Sequence, residues 1–452
     1  MAAGEFLCLD VGSTWTKAAL ISADGVILAT AQHPTTPPEV LTGIAAVTDL
    51  VHGHAADVLA CSSAGGGLRL AVVGQERLVS VTAGYRVALS AGAKVVHVSA
   101  GELDGPGLRA LRAARPDVVL LAGGTDGGDT RVLLHNARRL AANRIACPIV
   151  LAGNTAVREE ATNLLLATRR TVVVTDNVLP DVGELAPVPA RTAIRSVFLD
   201  HVIGGKGLSR GPRFRRLVRA VTPDAVRTGV GRLAALDGER QHAVLVIDVG
   251  GATTDVYSAV AADIEPERHA VALPPDRRTV EGDIGMRWSA RGVLTEAVAE
   301  RLIDDTAADA LAEPVRYRSE HVDAIPDDTE TDKDVDAAVD AAVDTVLAGL
   351  AAVIAARRHL RLIDGRLGPH GAGLLVLSGG VFRHADAARL ATITDQLKTD
   401  AVLRPILRHA DIVVDRQYVL APAGLLADAG HPDIADALLR NTFTRRAVPA
   451  AT

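Results

Sequence analysis

The alternation of apolar and polar residues divides the chain into short β-rich runs separated by longer helical stretches. FLCLDV and WTKAALI near the start predict two strands joined by a tight turn. From about residue 58 to 180, apolar runs recur in DVLACSSAGGG, AKVVHVSAGE, PDVVLLAGGTDGG, CPIVLAGNT and RRTVVVTDN. Each closes at Gly or Asn before helix-compatible sequence, which predicts strands buried on both faces of a parallel sheet with crossover helices between them. PDVGELAPVPARTAIRS, with its prolines, reads as a connector, and a segment dense in Lys and Arg follows at 206–219. HAVLVIDVGGATTDVYSAV then predicts a strand, a Gly-Gly turn and a second strand. The acidic, turn-rich stretch 303–334 predicts an exposed insertion or a helix-loop region. In DVDAAVDAAVDTVLAGLAAVIAARR, the positions Val335, Val339, Val343, Val346, Leu350 and Val353 recur every three or four residues and predict one amphipathic helix, with Arg357 and Arg358 at its end. LLVLSGGVFRHADAARLATI and IVVDRQYVLAPAGLLADAG each predict a strand and then a helix. The expected organisation is a first lobe at 1–185, a connector at 186–240, a second lobe at 241–430 and a tail at 431–452.

Composition narrows the class. With 452 residues the chain exceeds what a single core supports, and a hydrophobic content of 48% with only 2% aromatics points to aliphatic α/β packing. A net charge of -6 supplies no basic field for nucleic acid or anionic lipid. Cys8, Cys61 and Cys147 are too few for a disulfide framework and suit a reducing compartment. No signal peptide and no membrane-length apolar run is evident, so a cytoplasmic protein is expected.

The turns carry the candidate chemistry. Asp10-Val11-Gly12-Ser13-Thr14 closes one apolar strand, and Lys17 follows on the next. Backbone N–H groups in such a turn cradle phosphate, Ser13, Thr14 and Lys17 add donors, and the Asp suits Mg²⁺ or an oriented water. Alone, the motif reads equally as an ordinary hairpin. Asp248-Val249-Gly250-Gly251-Ala252-Thr253-Thr254-Asp255 repeats it more than two hundred residues later, which predicts a clamp with one carboxylate from each lobe: a hinged ATPase. Ser378-Gly379-Gly380 supplies a third glycine turn, suited to close approach by a nucleoside. Asp255 reads either as a neighbour of the metal or as an anchor of the hairpin. His52, His54 and Cys61 lack zinc spacing. GGTDGGD reads as a strand-to-helix turn in preference to an anion site.

In order, DVGSTWTK, DVGGATTD and LSGG resemble the phosphate-1, phosphate-2 and adenosine motifs of the actin, sugar kinase and heat-shock chaperone ATPase superfamily. VEGDIGMRWSARG is similar to the segment after phosphate-2 in the chaperone branch. Within that superfamily, DVGSTWTKAAL, CSSAGGGLRLAVVG, DVVLLAGGTDGGD, PIVLAGN, DVGGATTDVYS and EGDIGM most resemble the glutamate mutase accessory proteins. The resemblance implies two RNase H-like lobes with mixed sheets, flanked by helices around a nucleotide cleft. It also implies ATP or ADP with Mg²⁺, and a chaperone-like reactivating role toward adenosylcobalamin-dependent mutase subunits. By position, Asp10 and Asp248 would stand at the metal and the γ-phosphate. Gly12, Ser13, Thr14 and Lys17 would line one phosphate turn, Gly250, Gly251 and Thr253 the other, and Gly379 and Gly380 the adenosine. A small-molecule kinase, with its base among Glu102, Asp104, Asp126 and Asp129, and a nucleotide-gated scaffold without significant hydrolysis are the alternatives.

Overall fold

The computed structural model describes residues 4–444 apart from 54–55, 64–67, 77–82, 85–86, 89–92, 144, 146, 168–169, 199–211, 237–241, 261–275, 323–333, 364, 366 and 369. His54, the first part of the basic segment and residues 323–333 of the acidic region therefore lie outside the described residues, whereas Asp305–Glu320 of that region is helical. The chain divides into two compact units, one of Met1–Thr228, Glu265–Arg277 and Ala421–Ala435, the other of Gly229–Ile264, Arg278–Leu420 and Asp436–Thr452.

The first unit contains two sheets. In one, β1 (Phe6–Val11), β2 (Trp15–Ile21), β3 (Ile27–Pro34), β4 (Asp57–Ser62) and β10 (Val218–Val221) run in the order β10-β4-β1-β2-β3. β1, β2 and β3 form an antiparallel meander, while β4 and β10 add in parallel beyond β1. β1 is buried along its whole length, whereas β3 alternates between half-buried and exposed residues, as an edge strand should. The second sheet is wholly parallel, with β5 (Arg69–Gly74), β6 (Lys94–Ala100), β7 (Val118–Leu121), β8 (Ile149–Leu151) and β9 (Val172–Val174) in the order β6-β5-β7-β8-β9. This is the parallel sheet that the Gly- or Asn-terminated apolar runs predict, except that DVLACSSAGGG supplies β4 of the first sheet instead. Leu70, Val72, Val118 and Leu120 pack into one core with the strands of the first sheet, and Val73, Val119 and Leu121 into another with the crossover helices.

The second unit repeats the architecture of the first sheet. β11 (Ala243–Val249), β12 (Thr254–Ala259), β13 (Asp276–Glu281), β14 (Ala372–Ser378) and β15 (Asp411–Val414) take the order β13-β12-β11-β14-β15. β11 pairs antiparallel with β12 and parallel with β14, which in turn pairs parallel with β15. Both mixed sheets thus share the order third, second, first, fourth, fifth: two RNase H-like sheets, as expected. The periodic helix spans Asp334–Leu362, and its central residues from Leu347 to Ala356 are buried on every side, so it is a core helix rather than an amphipathic surface one.

Two stretches do more than the sequence pattern suggests. The proline-rich stretch is not a mere connector, because Pro187–Val197 is helical. Its prolines sit in the first turn, where a missing N–H costs nothing, and Ala190, Ala193, Ile194 and Val197 bury one face. Residues 218–221, taken as part of the same connector, form a strand of the first sheet. No helix among the described residues is long and apolar enough to cross a membrane.

Candidate functional site

The first hairpin arises because the largely apolar β1 and β2 flank a three-residue turn, Gly12-Ser13-Thr14. Asp10 is the penultimate residue of β1 and is only 4% exposed. Pairing sets its neighbours: Lys17 lies opposite it on β2 and Cys61 beside it on β4. Its Oδ1 accepts hydrogen bonds from the Thr222 hydroxyl and from the Cys61 thiol, at 3.5 Å for the latter, while the Lys17 ammonium stands 3.9 Å from Oδ2. The turn is closed by Gly12 N–H donating to the Trp15 carbonyl at 3.0 Å and braced by the Thr35 hydroxyl donating to the Gly12 carbonyl at 2.9 Å. Among the described residues, nothing accepts from the N–H groups of Ser13 or Thr14, and Ser13 is exposed. The turn therefore offers two N–H donors on a hairpin that also carries an ammonium, the local chemistry of an anion cradle.

The second hairpin is built alike. Asp248 is half-buried on β11, opposite Asp255 on β12 and beside Ser378 on β14. Gly250 N–H donates to the Thr253 carbonyl at 2.9 Å, and the N–H groups of Gly251 and Ala252 have no acceptor among the described residues. The EGDIGM segment props this turn from behind. Met286 and Arg287 N–H donate to the carbonyls of Gly250 and Gly251 at 2.9 and 2.8 Å, and the Thr254 and Ser289 hydroxyls bond to the carbonyls of Ile284 and Ala252. Arg287 is itself held by Asp344 at 3.1 Å, which also takes Arg318 at 2.6 Å, so the core helix Asp334–Leu362 fixes the prop.

The open reading of Asp255 is resolved in favour of an anchor. Its carboxylate binds Nε and Nη2 of the buried Arg278, at 2.9 and 2.5 Å, and the guanidinium lies over the ring of Tyr257. Burial favours neutral Arg278, but the charges and hydrogen bonds of Asp255 and Tyr257 together outweigh it and raise its pKa.

At the third turn, β14 ends at Ser378 and a short helix begins at Gly380. Gly379 has φ +113, and a Cβ there would fall 2.3 Å from the Val249 carbonyl oxygen, so only glycine lets this turn lie against the end of β11. Gly380 is exposed with open space where a side chain would be, which leaves its backbone approachable.

The parallel sheet's turn GGTDGGD is self-satisfied. Asp126 accepts from Thr155 N–H and from Asn177 Nδ2, both at 2.9 Å, and Asp129 accepts from Arg131 N–H and from Gln75. Asp104 caps the helix Gly105–Ala113, and Glu102 pairs with Arg131. All four acids thus have structural partners, and Asp129 already occupies the helix start where an anion would sit. Burial alone would raise the Asp126 carboxyl, but hydrogen bonds from Thr155 and Asn177 bring it below the usual range. A carboxylate with a depressed pKa contributes stability above its unfolded pKa of about 3.9 and loses it as pH falls. Asp126→Asn is accordingly expected to lower the thermal unfolding midpoint at pH 7, with the gap to the parent closing below about pH 4; melting curves across pH check this.

Among the described residues there is no group of three or more His, Cys, Asp and Glu placed to hold a metal by themselves. The cysteines are unreactive by environment. Burial raises the thiols of Cys8 and Cys61, the latter further through the charge of Asp10, and burial takes Cys147 up to about 11.

The profile of the family described as MutL protein matches residues 6–443. A curated relative, Protein MutL of Clostridium tetanomorphum, is 32% identical over 457 residues, covering 94% of this chain and 96% of the relative. Among solved structures, nucleotide-free acetone carboxylase aligns over 94% of this chain and 70% of its own, at 14% identity and a TM-score of 0.41. A ROK family glucokinase from Streptomyces griseus in complex with glucose and AMPPNP aligns over 96% and 98%, at 13% identity and a TM-score of 0.30. The xylulose kinase of Bifidobacterium adolescentis aligns over 97% and 93%, at 12% identity and a TM-score of 0.32.

Proposed function

Because this chain belongs to the MutL protein family, we propose that it is an ATP-using accessory protein that reactivates an adenosylcobalamin-dependent mutase of the glutamate mutase type. One observation carries the nucleotide part. Two sheets of identical strand order each end their central strand in Asp and Val followed by Gly, and each turn then bears two N–H donors with no acceptor among the described residues. Each turn suits the phosphate oxygens of a nucleotide. The N–H groups of Ser13, Thr14, Gly251 and Ala252, the hydroxyls of Ser13, Thr14 and Thr253 and the ammonium of Lys17 would bind its oxygens, and the backbone at Gly379 and Gly380 would approach the adenosine.

The donor set fits Mg²⁺ bound together with a nucleotide rather than alone. Two carboxylates, Asp10 and Asp248, stand beside phosphate-type cradles, and hard oxygen ligands of this kind usually hold Mg²⁺ with substrate phosphates and waters. When bound, the ion would neutralise charge on the phosphoryl oxygens. The chain's own residues would orient the phosphates and, through Asp10, the attacking water. Nucleotide state would then shift the population between two relations of the lobes, and a partner that prefers one of them is gripped or released.

The kinase alternative has less support, since Glu102, Asp104, Asp126 and Asp129 are all engaged structurally. ATP hydrolysis measured with and without a glutamate mutase, with the phosphate traced to water or to a metabolite, tests the reading. Free phosphate, released faster with the mutase present, is expected. A phosphorylated metabolite, or no detectable nucleotide binding, contradicts it.

A further inference from the structure

Asp10 is bound from three neighbouring elements at once. The register aligns Ala220 of β10, Cys61 of β4, Asp10 of β1 and Lys17 of β2 across four adjacent strands. β10 ends at Val221, and the next residue, Thr222, begins the helix Thr222–Leu236. From there its hydroxyl, on a residue only 8% exposed, donates back to Asp10 Oδ1, the oxygen that Cys61 also serves. Oδ2 is left on the side of Lys17. Oδ1 is thereby held by Thr222 and Cys61, and Oδ2 is turned toward Lys17.

The helix start is itself firmly held. Asp224, in its first turn, pairs with Arg227 at 3.0 Å and with Arg195 at 3.6 Å. Arg227 also pairs with Asp276, and Arg195 with Asp428 at 3.3 Å. Asp224 and Arg227 are buried, so this network is satisfied on both sides and leaves Thr222 little freedom to turn away.

Resting on the reading of Asp10 as the metal-side or water-orienting carboxylate, we propose that Thr222 is its positioning residue, fixing the rotation of the carboxylate so that Oδ2 stays on the Lys17 side of the hairpin, where that reading puts the phosphates. The claim concerns the hydroxyl, not the bulk of the side chain. Thr222→Val keeps the shape and removes the donor, while Thr222→Ser keeps the donor and removes a methyl. Sequence reasoning passed over this residue because no motif marks it; only the return of β10 to the first sheet brings it to Asp10.

The test uses the full chain. In a Trp288→Phe background the remaining tryptophan, Trp15, sits on the first hairpin and reports binding by fluorescence. ATP titrations with Mg²⁺ and with EDTA are compared for the parent, Thr222→Val, Thr222→Ser and Asp10→Asn, alongside steady-state hydrolysis and melting curves. Thr222→Val is expected to lower kcat about tenfold or more with KM for ATP little changed, because a misdirected catalytic group costs rate rather than ground-state binding. It is also expected to raise the Mg²⁺ concentration at half-saturation while leaving binding in EDTA unchanged, and Thr222→Ser should restore both readouts. If Thr222→Val does not fold, Thr222→Cys supplies the same comparison with a weak donor. Parental kcat and Mg²⁺ dependence in Thr222→Val, with Asp10→Asn inactive, would overturn the positioning role and leave the wider reading standing. Thr222→Ser as impaired as Thr222→Val would overturn it too, since the methyl and not the hydroxyl would then matter. Parental activity in Asp10→Asn would overturn the wider reading itself.

Discussion

Asp10→Asn and Asp248→Asn are each expected to reduce steady-state ATP hydrolysis by about 10²-fold or more, in protein that melts close to the parent. The amide keeps the shape of the carboxylate, and at residue 10 its oxygen can still accept from Thr222 and Cys61. What disappears is the negative charge that the proposed function assigns to a metal or a water. Asp255→Asn is the internal control. Asp255 lies on the same hairpin, directly opposite Asp248, but its charge is used by Arg278. Removing it leaves a buried guanidinium uncompensated, which typically destabilises by about 3–5 kcal/mol. Its signature should therefore be a lowered melting temperature, with turnover per folded molecule affected much less. Phosphate release normalised to the folded fraction separates the two effects. Equal losses of turnover at all three positions would indicate that the hairpin is a structural unit without a privileged carboxylate.

The second large effect is on folding. Gly424 lies in the helix Leu420–Asp428, and a Cβ on it would fall 1.8 Å from the carbonyl oxygen of Ala225, on the helix Thr222–Leu236. The neighbouring atom is backbone and cannot swing aside, so any side chain must part the two helices or bend one of them. Overpacking of a core costs about 1–3 kcal/mol when side chains can adjust and more when they cannot. Gly424→Val is accordingly expected to cost at least about 3 kcal/mol, read as a fall in the chemical denaturation midpoint, and to lower the soluble yield. Gly231, on the helix Thr222–Leu236, has open space at the Cβ position, so Gly231→Ala should be close to neutral. If Gly424→Val unfolds at the parental midpoint, the close approach of the two helices is not present in solution.

Much of this was legible in the sequence because the informative residues are local. Each hairpin is encoded by consecutive residues, and an aspartate ending an apolar run specifies both a strand end and a chemical group. The Gly-terminated runs revealed the parallel sheet for the same reason. What escaped was non-local. β10 is only four residues long and preceded by arginines, so nothing in its composition distinguishes it from a connector; it becomes a strand by pairing with β4. Pro187 and Pro189 look like breakers until the helix start is located, and then they are its first turn. The roles of Asp255 and Thr222 depended on partners 23 and 212 residues away. Arg357 and Arg358 suit a helix C-terminus by charge alone, yet they make specific pairs. Arg357 binds Glu300 and Asp400, and Arg358 binds Glu281, Asp283 and Glu296.

The most direct measurement of the account is recovery of a mutase. An adenosylcobalamin-dependent glutamate mutase is inactivated by turnover, then incubated with this protein, fresh adenosylcobalamin and either ATP with Mg²⁺, ADP with Mg²⁺ or no nucleotide, and its activity is followed. Activity is expected to return with ATP and Mg²⁺ and not without nucleotide, and Asp10→Asn protein is expected to fail to support recovery. Recovery that is independent of nucleotide, or equal with Asp10→Asn, would contradict it.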